Sequence, residues 1–295
     1  MNKGLNIKRR DLRNAMLFIS PWVMGTLIFK FYPILASLYY SLTEYSVVNP
    51  PVFVGLRNYV ALFHDPVFYK SLTNTLYMGV FGTVLTTVFA IIVAVLLNNR
   101  KIKGLTIFRV VFFLPTLVPV VIISILWIWL LQSDNGVINT LLSYIGIDGP
   151  GWLADPAWAK PSFILMMLWS SGGSIIIYIA GLQEIPDSLY ESAAIDGAGF
   201  LRQNLNITLP LLSPVILFNV VTLVIHVFQW FAEPLIMTSG GPDNSTLFYS
   251  LNLYRYAFQY FKMGYASAMA WIMLLISIFI ILMLFKLNKK FGHSE

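Results

Sequence analysis

Few side chains in this chain are suited to chemistry, and most of them interrupt long apolar stretches. Trp169, Ser170, Ser171 and Ser174 flank a Gly-Gly pair in one such stretch. Asn219, His226, Gln229 and Trp230 punctuate another, with Glu233 at its outer end. Polar groups in hydrocarbon are costly and face a bundle interior or a wet cavity. Indole faces beside hydroxyls and amides suit a sugar, whose ring has apolar C–H faces and a rim of hydroxyls. Two plainer readings stand beside this one: Ser170 to Ser174 as small residues for close helix packing, and His226 as a neutral, hydrogen-bonded core histidine. Covalent or hydrolytic chemistry has no such support. The sequence contains no Gly-x-x-x-x-Gly-Lys-Ser/Thr phosphate loop and no Gly-x-Ser-x-Gly elbow. His64, His226 and His293 are scattered without metal-ligand spacing. The expectation is a chain that is not an enzyme, with no catalytic residue, metal or cofactor of its own; an ATPase driving it would be a separate polypeptide.

The elements that must position these residues are membrane helices. Of the 295 residues, 58% are hydrophobic and only 11% charged, against roughly a quarter charged in soluble domains. Cysteine is absent, which excludes disulfides and thiol chemistry. A span needs about 20 apolar residues, and six segments qualify: roughly 15–42, 72–97, 108–131, 161–183, 211–233 and 265–285. Lys30 and Pro33 interrupt the first, so its outer end is expected to kink or leave the lipid early. The apolar run after Lys8-Arg9-Arg10 is too long for a signal peptide and lacks a small-residue cleavage site. The net charge of +6 suggests nucleic acid only until its placement is considered. With the N-terminus inside, thirteen of the nineteen Lys and Arg residues fall on the cytoplasmic side: Lys3, Lys8, Arg9, Arg10, Arg13, Arg100, Lys101, Lys103, Arg109, Arg202, Lys286, Lys289 and Lys290. Both termini and the 184–210 loop are thus expected in the cytoplasm, and lipid rather than nucleic acid is the surrounding partner.

That loop is neither apolar enough to cross a bilayer nor loose enough for a plain linker. Ser188 and Glu191 stand in the S-x-x-E relation of a capping box, and Gly197 sits where a helix end takes a left-handed residue. Between them lies a helix of about two turns with small side chains at Ser192, Ala193 and Ala194, smooth enough for another protein's groove to close round it. The plainer reading is a capped helix resting on the membrane surface. Glu191, Ala193, Gly197, Ile207, Leu209 and Pro210 have the spacing of the "EAA" loop (Glu-Ala-Ala, three residues, Gly, nine residues, Ile-x-Leu-Pro), with Ser192 replacing the usual Ala and Asn204 a common aromatic. On these residues the chain resembles the permease subunits of ABC importers, in the carbohydrate branch that holds the maltose and glycerol-3-phosphate permeases. Val54-Gly-Leu-Arg-Asn-Tyr59 and Gly240-Gly-Pro-Asp-Asn-Ser-Thr246 extend the resemblance along residues 15–285.

The resemblance implies an all-α polytopic membrane protein of the MetI-like permease fold. Residues 15–285 would form the transmembrane domain, with 1–14 and 286–295 as cytoplasmic tails and 184–210 as the coupling loop. It implies ATPase-coupling roles for Ser188, Tyr190, Glu191, Ala193, Ala194, Asp196, Gly197 and Pro210. It implies a solute pathway through Trp169, Ser170, Ser171, Ser174, Asn219, His226, Gln229 and Trp230, with Ser171, Ser174 and His226 foremost. The implied partners are a dimer of cytoplasmic ATPase subunits, a second, homologous permease and an extracytoplasmic solute-binding protein. The outer segments 54–68, 132–160 and 240–260 would be the landing surface of that binding protein, where turns and headgroup-level aromatics are the plainer reading. The implied activity is import of a sugar, a di- or oligosaccharide, across a bacterial or archaeal cell membrane by alternating access. A phosphate-bearing solute would want Arg or Lys in the pathway, and the spans supply only Lys30 near an end, so a neutral sugar is favoured over a glycerol-phosphate-type solute. The rivals are an ion-coupled secondary sugar transporter, expected to bury acids in its spans, and a polytopic membrane enzyme or assembly factor.

Overall fold

The structure is a computed structural model that describes residues 2–98 and 104–291, with side chains over 11–12, 14–98 and 104–288. Arg100, Lys101, Lys103 and His293 lie outside the described residues, as do the side chains of Lys3, Lys8, Arg9, Arg10, Arg13, Lys289 and Lys290. The chain divides into two compact units, residues 1–64 with 254–272, and residues 65–253 with 273–295.

In the first unit, span one runs over Asn14–Ser41. It runs on through Lys30 and Pro33, where a kink or an early exit from the lipid was expected. The helix widens to a π turn at Leu27–Phe31, just ahead of Pro33, and continues to Ser41. A π turn changes which carbonyl each amide meets, so the proline's missing N–H is absorbed without ending the helix. None of the most apolar stretch of this span is buried. The all-helical expectation needs one amendment here, an antiparallel hairpin of Thr43–Ser46 and Asn49–Phe53. The Gly-Leu-Arg-Asn-Tyr stretch then pins the hairpin's root. Asn58 Nδ2 donates to the carbonyls of Ser41 (2.9 Å) and Thr43 (2.8 Å), and the Tyr59 hydroxyl reaches Ser41 Oγ at 2.8 Å.

The second unit holds spans two to five. Span two, Pro66–Asn98, opens with Asp65 accepting from the Val67 amide at 2.8 Å and Pro66 in the first helical turn. Span three, expected over 108–131, is broken in two. It is Leu105–Leu117 followed by Val120–Leu130, turned by 105°. Pro119 has no amide to donate and forces the residue before it out of the helical region; Val118 sits at φ −82°, ψ 130°. Span four is Pro156–Trp169 and Gly172–Gln183, bent by 47° at Ser170 and Ser171. Span five begins well before the expected 211, at Phe200, and ends at Phe228 rather than 233. Gln229 closes it, and Ala232–Met237 is a separate short helix. Span six, Met263–Asn288, completes the set. The loop between spans three and four holds one short helix, Val137–Ser143, and Trp152 Nε1 donates to Asn139 Oδ1 at 2.6 Å.

Two apolar clusters form the core of this unit. One joins Met78, Trp127, Phe163, Met167, Trp230 and Phe248. The other joins Ala90, Ala94, Ile175, Tyr178, Leu182 and Leu212. Small residues bring the helices together: a methyl added at Gly172 would collide with the carbonyl oxygen of Phe112. Close packing and a polar face therefore share the Ser170–Ser174 stretch, at different residues.

Candidate functional site

The 184–210 loop folds as the helix Asp187–Ile195, the turn around Gly197, and the start of span five. Its C-terminus is closed by two crossed bonds. The amide of Gly197 donates to the Ala194 carbonyl (3.0 Å) and that of Ala198 to the Ala193 carbonyl (2.8 Å), with Gly197 at φ +78°. This is a Schellman closure, which a residue with a β-carbon enters only under strain. The expected capping box does not form. Pro186 holds the N-cap position without a side-chain bond, Ser188 lies inside the helix, and the Ser188 carbonyl instead accepts from Ser192 Oγ at 2.8 Å.

Tyr190 anchors the helix to the bundle. Its hydroxyl lies 3.0 Å from the buried Thr208 Oγ1, and its ring packs against the Ala90–Leu212 cluster. Ala193 is half-buried, while Ser188, Glu191, Ala194, Asp196, Gly197 and Pro210 are exposed. Beside them stand Ile195, 87% exposed, and Leu201, 74% exposed. One flank is thus bonded to the bundle and the other presents a carboxylate among small and apolar side chains. A groove of about 650 Å³ borders this helix, lined by Glu184, Asp187, Tyr190, Phe200 and Gln203, with Val95 and Asn98 from span two.

The second feature is a cavity of about 380 Å³ between spans two, three, four and five. The 47° break in span four turns Ser170, Ser171 and Ser174 towards it, and the end of span five supplies His226 and Trp230. Trp230 is buried, stacked on Phe248 (5.5 Å between ring centres, 15° between planes) and edge-on to Phe163. Five of the eight expected pathway residues are therefore brought together. The other three are not. Trp169 packs edge-on against Trp127 at 6.1 Å. Asn219 is buried without lining the cavity, donating to the Val215 carbonyl at 3.2 Å. Gln229 terminates span five and is exposed.

Sequence reasoning missed the lining hydroxyls of Thr86 in span two and Thr116 in span three, and named Glu233 without counting its carboxylate in the pathway. The Thr86 hydroxyl and the Trp230 indole N–H are buried with no hydrogen-bond partner among the described residues. Thr83, Thr86 and Thr87 recur at helical spacing on one face of span two, a polar stripe that periodicity alone would have revealed. Glu233 was placed at the outer end of a span that the structure ends earlier.

Beyond the cavity, the Gly240–Thr246 loop is tied down by side chains. Thr246 Oγ1 donates to the Gly241 carbonyl at 2.7 Å, and Asn74 Nδ2 to the carbonyls of Asn244 (2.7 Å) and Leu247 (3.2 Å). Lys160 Nζ in turn donates to Asn74 Oδ1 at 3.0 Å and lies over the Tyr77 ring. Burial pushes the neighbouring Tyr249 phenol above its ordinary range, which keeps it neutral. No cluster of metal-binding side chains occurs among the described residues.

Up to six apolar spans, a partly polar cavity among spans two to five and an exposed helix on one loop are the features of a multi-pass membrane permease. Residues 86–293 match the family described as binding-protein-dependent transport system inner membrane component, and the chain belongs to that family. It is 41% identical to the probable ABC transporter permease protein YesP of Bacillus subtilis, covering all of this chain and 96% of that one. It is 39% identical to the lactose transport system permease protein LacF of Rhizobium radiobacter, with 92% of each covered. Among solved structures, a bacterial alginate ABC transporter in complex with an alginate-pentasaccharide-bound periplasmic protein superposes with a TM-score of 0.85. The sequence identity is 26%, over the whole of this chain and 99% of that one. The MetI-like permease expectation holds.

Proposed function

We propose that this chain is the permease subunit of an ATP-driven sugar importer, working in a bacterial cell membrane with both termini in the cytoplasm. The observation that carries the reading is the helix Asp187–Ile195: fixed to the bundle through Tyr190 and Thr208, closed at Gly197, and presenting Glu191, Ala194 and Ile195 outward. A stiff, anchored helix with an exposed small-residue flank suits transmission of a push from a soluble subunit. The partner there is a dimer of ATPase subunits, and a second permease completes the pore. The Gly-Leu-Arg-Asn-Tyr and Gly-Gly-Pro segments receive an extracytoplasmic solute-binding protein. That sugar is the cargo is supported by the relatives named for lactose and alginate, and by a cavity whose indole and hydroxyl groups match a saccharide's two kinds of surface. ATP binding by the partner would swing the coupling helix, and the spans would expose the cavity to alternate sides. Membership of a binding-protein-dependent family sets aside the ion-coupled rival.

The test is affinity purification of the chain from its native membrane. The expected result is co-recovery of a second permease and a Walker-motif ATPase, lost in Gly197→Asp and Glu191→Lys although both variants insert. A chain that purifies alone and supports ATP-independent uptake in vesicles would overturn the reading.

A further inference from the structure

The cavity wall is electrically one-sided. It is lined by Glu233 and by no lysine or arginine. Glu233 makes no ion pair among the described residues, where the only one joins Arg57 and Glu44. Lys160, the half-buried cation of span four, is engaged by Asn74 and does not line the cavity. The other polar groups on the wall are the hydroxyls of Ser170, Ser171, Ser174, Thr86, Thr116 and Thr222, with the His226 imidazole and the Trp230 indole. Two of these, Thr86 Oγ1 and Trp230 Nε1, are buried donors without a partner among the described residues. Buried polar groups are normally satisfied; both residues line the wall, and their unsatisfied donors become available to a solute's oxygens only when the spans move. Among the wall's polar groups, donors for a ligand's oxygens are neutral and the single charge is negative.

We propose that Glu233 is the charge filter of this permease: its carboxylate accepts hydrogen bonds from the hydroxyls of a neutral saccharide and repels uronic, sulfonated or phosphorylated ones. The inference rests on the sugar-importer reading above and narrows it to a substrate class. A carboxylate accepts hydroxyl hydrogen bonds more strongly than a neutral oxygen does, and like charges juxtaposed at a desolvated contact discriminate strongly against the wrong partner. A pathway for an acidic saccharide would place Arg or Lys where this wall has Glu233.

The filter is read in the permease, apart from the binding protein's own selectivity. The assembled permease–ATPase complex, held in nanodiscs without its binding protein, is titrated by saturation-transfer NMR. The probes are lactose, maltose and cellobiose, each beside its uronic counterpart. The expected wild-type preference for the neutral member of the best-bound pair is at least about tenfold. Glu233→Gln should bring that ratio to within about threefold, and Glu233→Lys should reverse it. A ratio unchanged in both variants, with the complex intact by gel filtration, would overturn the filter, as would wild-type preference for the uronates. Binding of none of the six by a complex that still drives ATP-dependent saccharide uptake would also overturn it. Absence of ATP-dependent uptake as well would instead sink the importer reading.

Discussion

The 184–210 loop, proposed above to couple to the ATPase, and the cavity belong to the same compact unit, but they are built in opposite ways. The loop is local. Its helix, its closure at Gly197 and its anchor at Thr208 all lie within residues 186–208, and every bond that shapes it joins residues fewer than twenty positions apart. The cavity is assembled from Thr86, Pro115 to Ile123, Met166 to Ser174 and Thr222 to Glu233, so its shape depends on where four separate helices bend. A local device can be stiff and still be addressed by a partner on one face. A cavity between bent spans changes shape whenever those spans move, as alternating access requires. The lever is thus made from short-range bonds, and the chamber from long-range packing.

The largest effect should come from the lever. Gly197 stands at φ +78° with open space around it, so the obstacle to a side chain is backbone conformation rather than collision. Gly197→Val should abolish ATP-driven uptake in whole cells while leaving membrane insertion intact by immunoblot, because a β-branched residue is a genuine outlier at positive φ. Gly197→Asn should retain most uptake, because Asn tolerates the left-handed region. If Asn and Val fail equally, the conformational account of the closure is wrong.

Next comes the contact that holds the chamber's walls together. Gly172→Val should introduce a clash with the Phe112 carbonyl and cost about 1–3 kcal/mol of bundle stability. The neighbouring Gly173 meets nothing within 4 Å, so Gly173→Ala should leave stability unchanged or raise it by up to about 1 kcal/mol. Thermal unfolding of the detergent-solubilised complex measures both. Equal losses would mean that the span-four break, rather than the approach to Phe112, sets the need for glycine.

What could be read from sequence divides along the same line. The short helix of the 184–210 loop and its closure at Gly197 were legible because their determinants are contiguous, although the start of the helix was misjudged as a capping box. The six spans were legible because hydrocarbon demands long apolar runs. The cavity was only half legible, since hydropathy reports that a segment is apolar and not where it bends. The 105° turn at Pro119 and the early end of span five at Phe228 place Thr116 and Glu233 on the wall, while Trp169, Asn219 and Gln229 fall elsewhere. The prolines were visible; which of them would turn a span and which would be absorbed, as Pro33 is, depends on packing.

A subtler change sharpens the chamber side. Thr86→Val keeps the shape of a buried residue and removes a hydroxyl that has no partner among the described residues. If that hydroxyl serves only the fold, its loss should leave stability unchanged or slightly improved. If it receives solute, uptake should fall about threefold to tenfold at low solute concentration, with the maximal rate little changed, the signature of one neutral hydrogen bond. Uptake kinetics in reconstituted vesicles distinguish the two, and unaltered kinetics would remove span two from the pathway.

The smallest effect is expected where the sequence suggested a large one. Had Ser188 capped the coupling helix, Ser188→Ala would cost about 1 kcal/mol. Its side chain lies inside the helix and exposed, and the bond at this position is made by its backbone carbonyl to Ser192 Oγ. Alanine preserves that carbonyl and has the better helix propensity. Ser188→Ala should therefore leave thermal stability and uptake within about 0.5 kcal/mol of wild type. Tyr190→Phe, which removes the hydroxyl facing the buried Thr208 Oγ1, should loosen the same helix and reduce ATPase recovery about twofold to fivefold. Side by side, the two substitutions ask whether the lever is held at its start by a cap or along its length by the bundle. Only the second arrangement passes a push on the helix directly to span five.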